Sequence, residues 1–68
     1  MPPRDLVVRF EERRAFYVLT NPTVKTARSI GDLVDLLARE HQRHAQLTYR
    51  QAFEAVMKDS ELKALYTA

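Results

Sequence analysis

The period of apolar and polar positions changes near residue 29, dividing the chain into a part that reads as strands and a part that reads as helices. From Ile30 onward, Leu33, Val34, Leu37, His41 and His44 recur at i, i+3, i+4 and i+7, the spacing of one helical face. Leu36 widens this stripe, and Asp35, Arg39, Gln42, Arg43 and Gln46 occupy the opposite side. Ser29 and Asp32 supply a start signal: the hydroxyl can accept from an early backbone N–H and the carboxylate can reach back to the cap. A second helix opens at Thr48, with Gln51 placed to complete a capping box and Leu47 and Ala52 to form a small staple. Its stripe is Ala52, Phe53, Val56 and Met57, while Arg50, Glu54 and Lys58 face away. Glu54 and Lys58 stand in the favourable i, i+4 ion-pair order, worth about 0.3 kcal/mol. Asp59 and Ser60 can each cap a new turn, so residues 61–66 form either a separate short helix or a continuation, docked back through Leu62, Leu65 and Tyr66. The prediction is a helical hairpin over residues 29–66, joined at Leu47 and Thr48.

Before residue 29 the period is closer to two. Leu6, Val8 and Phe10 alternate with Val7, Arg9 and Glu11, and Phe16 and Val18 alternate with Tyr17 and Leu19, as in half-buried strands. Glu12, Arg13 and Arg14 would make the hairpin turn between them, although neither Asn-Gly nor Asp-Gly is present to define its type. Asn21 and Pro22 end the second strand. Residues 23–28 then read as a third short strand, or as the start of the first helix at Thr23 or Thr26. The expected fold class is α+β: a small antiparallel β-meander of two or three strands on a C-terminal helical hairpin, β-β-(β)-α-α, in a single domain over residues 1–68. Residues 1–4 are expected to be disordered, residues 5–28 to form the β-layer.

On that fold both faces of the second strand are apolar, which one layer of helices does not explain. Val7, Tyr17 and Leu19 would share the outer face as a contact surface for another protein or for a second copy of the chain. The alternative is a curled sheet whose outer face is covered by the N-terminal segment or the last helix. In the first case Tyr17 and Leu19 are apolar anchors, with Arg9, Arg13 and Arg14 as a charged rim.

Composition narrows the chemistry. With no cysteine among 68 residues, disulfides, thiolate metal sites and cysteine catalysis are excluded. A chain this short holds a core giving about 3–5 kcal/mol of net stability, so support from a partner subunit, as in a homodimer, is in keeping with its size. The apolar runs are too short for a membrane span and the N-terminus lacks the apolar segment of a secretory signal, which points to a cytoplasmic protein. His41 and His44 are spaced to face one metal, with Glu40 alongside, but no further ligand completes a site; no metal and no cofactor is expected. Nucleophile motifs and glycine-rich phosphate loops are absent, the single glycine being Gly31, so the chain reads as non-enzymatic. The positive charge is concentrated early, where Arg4, Arg9, Arg13, Arg14, Lys25 and Arg28 outnumber Asp5, Glu11 and Glu12. With Phe16 and Tyr17 between them, Arg9, Arg13, Arg14, Lys25 and Arg28 are the basis of an alternative reading as a nucleic-acid-binding or transcription-regulatory protein.

From Thr48 to Tyr66 a capped helix with Tyr49 and Ala52 is followed by Ser60, Glu61, Leu62 and Tyr66. This segment resembles a helical motif of tailed-phage head scaffolding and maturation-protease proteins, in which a Tyr-x-x-Ala helix precedes a Pro-Glu-Leu-x-x-x-Tyr turn. Ser60 replaces the proline of that motif, and nothing corresponds to a protease domain. The resemblance implies a phage or mobile-element origin. The expectation is a small protein-interaction module, an assembly factor or an inhibitor of a host protein.

Overall fold

The computed structural model describes residues 4–68, and its regular structure is helical: α1 (Arg4–Val18), a 3-10 turn (Pro22–Thr26), α2 (Ile30–Ala45), α3 (Tyr49–Val56) and α4 (Ser60–Thr67). No strand occurs among the described residues, so the α+β meander is incorrect in both its two-strand and three-strand forms. The expected disorder of residues 1–4 lies outside the described residues except at Arg4, where α1 begins.

The correction at residues 5–19 has a simple cause. Glu11, Glu12, Arg13, Arg14 and Ala15 are strong helix formers, and no glycine, proline or asparagine interrupts the segment. The supposed turn at Glu12, Arg13 and Arg14 therefore lies inside α1. Read at the helical period, Leu6, Arg9, Phe10, Arg13, Arg14, Tyr17 and Val18 form one half-buried face. Three of these seven are arginines, whose aliphatic stems cover apolar surface while the guanidinium stays polar. A hydrophobicity pattern counts them as wet, so the stripe is hidden.

Residues 23–28 form neither a third strand nor an early start to α2. Asn21 caps the turn that follows it, its Oδ1 accepting from the Thr23 N–H at 3.3 Å, and Pro22 takes the first helical position, where its missing N–H costs nothing. The turn buries Val24 completely.

Local signals later in the chain read through to the structure. Ser29 Oγ accepts from the Asp32 N–H at 3.2 Å, although Asp32 reaches past the cap to the Arg28 N–H. The capping box at Thr48 is complete, Gln51 N–H donating to Thr48 Oγ1 at 3.1 Å and Thr48 N–H to Gln51 Oε1 at 3.0 Å. Residues 60–67 are a separate helix: α3 stops at Val56 and Asp59 caps α4 through Oδ1, which accepts from the Glu61 and Leu62 N–H groups. Because α3 ends early, Lys58 lies in the turn, and Glu54 pairs backward with Arg50 instead of with Lys58.

The core gathers beneath α2. Leu33, Val34, Leu37 and Ala38 meet Val24 and Ala27 from the connecting segment, Ala52 and Val56 from α3, and Leu62 from α4. Complete burial of Leu33, Val34, Val24 and Leu62 contributes about 1.5–3 kcal/mol each. The stripe of α2 thus closes through Ala38, while His41 and His44 are exposed. Helix α1 docks on the 3-10 turn and on α4, and among the described residues it contributes no buried side chain, only half-buried Phe10, Tyr17 and Val18 at the edge of the core.

Candidate protein-docking surface

Because α1 joins the body on one side, its polar groups divide by direction. Arg9 Nε donates to Glu61 Oε1 at 2.7 Å, and the Arg13 guanidinium donates to Asp59 Oδ2 at 3.4 Å. Arg14 donates to the Ala27 carbonyl at 2.7 Å. The Tyr17 hydroxyl donates to the same Asp59 oxygen that Arg13 approaches. Burial and this hydrogen bond push the Tyr17 phenol up to about 12. Burial works against the Asp59 charge too, but the bonds from Tyr17 and the Leu62 N–H together with the Arg13 charge outweigh it and hold its carboxyl below the usual range. All four side chains therefore serve as clamps between α1 and the rest of the fold.

What remains on the outside is apolar and acidic. Val8, Glu12, Ala15 and Leu19 follow one another at i, i+4, i+7 and i+11, all exposed, with exposed Phe16 beside them. Leu19, in the turn just after α1, is 82% exposed, Phe16 56%, Val8 49% and Val7 44%, so most of the large exposed apolar side chains belong to α1 and its final turn. Phe16 is held from one side, edge-on to the Tyr17 ring at 5.1 Å and under the Arg13 guanidinium at 5.1 Å. Asp5, Glu11 and Glu12 are exposed and form no ion pair among the described residues. On the Val7 side the surface runs into a groove of about 430 Å³ lined by Leu6, Phe10, Ile30 and Leu65, with Arg28 at its rim.

Of the residues expected at a partner surface, Val7 and Leu19 are outside, whereas Tyr17, Arg9, Arg13 and Arg14 turn inward. Val7, Tyr17 and Leu19 do not share a face, because that grouping required a strand. Sequence reasoning missed Val8 and Phe16, which a strand model assigns to the covered face; a helical wheel over residues 5–19 brings Val8 and Leu19 together. Comparison with known protein families, curated proteins and solved structures finds no match for this chain.

The residues behind the phage-like pattern do structural work here. Thr48 caps α3, Ala52 and Leu62 are buried in the core, and Tyr66 packs edge-on against Phe53 at 5.4 Å. Tyr49 donates to Asp35 at 2.6 Å, tying α3 to α2. His44 and Glu40 form a pair at 2.7 Å one helical turn apart, and no cluster of three metal-ligating side chains forms among the described residues. No helix among the described residues is long and apolar enough to cross a membrane.

Proposed function

We propose that the chain is a protein-binding module whose working surface is the outward face of α1. The observation that carries this reading is a helix apolar on both sides and covered on one. Phe10, Tyr17 and Val18 anchor it inward, yet Val8, Phe16 and Leu19 are presented outward, an arrangement that costs solubility unless another surface covers it. Acting through occupation of a partner's surface, such a module serves as an assembly factor or an inhibitor and needs no catalytic group. The alternative, nucleic-acid binding through Arg9, Arg13, Arg14, Lys25 and Arg28, loses support because three of those five cations are engaged with Glu61, Asp59 and the Ala27 carbonyl, leaving Lys25 and Arg28 as its exposed remainder.

The test is retention of a protein from bacterial lysate on the tagged full chain, with and without nuclease, for the wild type and for the double variant Val8→Gln, Leu19→Gln. The reading expects a discrete protein retained despite nuclease and lost in a variant whose helical circular dichroism and melting are unchanged. Retained material that vanishes with nuclease would make the nucleic-acid reading correct, and equal retention by both chains would place the surface elsewhere.

A further inference from the structure

We infer that the partner presents a cationic amphipathic helix to α1. This rests on the reading of α1 as the docking surface and adds the chemistry of its occupant. Among the described side chains of α1, Arg9, Arg13 and Arg14 bond to Glu61, Asp59 and the Ala27 carbonyl, the Arg13 guanidinium also lying against one side of the Phe16 ring, while Glu12 is exposed without an ion pair among Val8, Ala15, Phe16 and Leu19, and Glu11 is exposed at the edge toward the groove that Arg14 and Arg28 also line. A chain that is basic in sum, with a formal charge of +2, thus offers an acidic apolar strip.

The dimensions match a helix. At 1.5 Å per residue the strip from Val8 to Leu19 is about 16 Å long, three turns of a partner whose apolar side chains recur at i, i+3, i+4 and i+7. Lysine or arginine flanking that stripe would meet Glu11 and Glu12, and charge complementarity of this kind speeds encounter and rejects wrong partners. A second copy of the chain fits less well: the cations nearest its own strip, Arg9 and Arg13, are already paired with Glu61 and Asp59, so the described residues of that strip offer Glu11 and Glu12 no free counter-charge. Nucleic acid and anionic lipid meet repulsion from the same two carboxylates.

The experiment uses the full chain and a labelled synthetic peptide of about 18 residues, long enough to hold a helix, with leucine on one face and lysine elsewhere. A counterpart carries glutamate at every lysine position. Fluorescence anisotropy at low salt should show the lysine peptide binding at least about tenfold tighter than the glutamate peptide, with the gap narrowing as salt rises. Glu12→Lys should weaken the lysine peptide about fivefold or more, whereas Glu54→Lys, the same charge change at an exposed site on α3, should leave it within about twofold. Equal binding of the two peptides, equal effects of the two substitutions, or no binding of either peptide overturns the inference. So does a dimer in sedimentation that Val8→Gln with Leu19→Gln dissociates, since the face is then covered by a second copy. If lysate retention still depends on Val8 and Leu19 while no lysine preference is found, the docking face survives and the cationic partner does not; loss of both removes both.

Discussion

The Tyr17 hydroxyl donates to the Asp59 carboxylate across 42 positions of sequence, so the residue that starts α4 also holds down the end of α1. One oxygen of Asp59 caps α4 and the other receives Tyr17 and Arg13. Asp59→Ala removes both functions and is expected to cost about 2–3 kcal/mol in urea unfolding. Asp59→Asn keeps a good cap and should cost less than Asp59→Ala. Tyr17→Phe should cost about 1 kcal/mol, and in the Asp59→Ala background much less, because the two side chains share one interaction.

Tyr17 also supplies a spectroscopic marker. Its phenol is pushed up to about 12, where an ordinary tyrosine ionises near about 10. Absorbance near 295 nm should show a late step that Tyr17→Phe abolishes. Because the folded value is raised, this group's contribution to stability is complete below about pH 10 and is lost as pH rises through about 12.

At the acid end the sign reverses. Asp59 is held low against its burial by Tyr17, the Leu62 N–H and Arg13, and Glu61 is held low by its hydrogen bond from Arg9. Groups depressed on folding contribute stability that is present above their unfolded values, near about 4, and lost as pH falls through the folded ones. Urea midpoints should therefore drop between about pH 5 and pH 2, with a shallower fall in Asp59→Asn.

Burial separates two leucines of equal volume. Leu62 is fully buried and Leu19 is 82% exposed. Leu62→Ala is expected to cost about 2.5–5 kcal/mol, enough to unfold most of a domain whose core supplies about 3–5 kcal/mol. Leu19→Ala should stay within about 0.5 kcal/mol of wild type. Thermal melts of the two variants check both.

Gln46 ends α2 with φ of 53°, in the left-handed region. A side chain there costs about 1 kcal/mol relative to glycine, while glycine also gains freedom in the unfolded chain. On balance Gln46→Gly should stabilise the protein by up to about 0.5–1 kcal/mol, read as a raised melting temperature.

What the sequence determined alone was local. The caps at Ser29 and Thr48 and the α2 stripe from Ile30 to Leu37 use partners within a few residues, so α2 and α3 are legible from spacing; whether a new helix begins at Asp59 or Ser60 is not decided by spacing. Helix α1 itself rests on local helix formers, but only the tertiary structure decided which of its faces turns inward, because the groups that define that face lie far away in sequence: Glu61 stands 52 positions from Arg9 and Asp59 46 from Arg13. Without those carboxylates an arginine looks like a solvent-facing residue, and Leu6, Val8 and Phe10 look like a strand. The same long-range pairing chose which face of α1 stayed open, since drawing the arginines inward left Glu11, Glu12, Val8 and Leu19 outside.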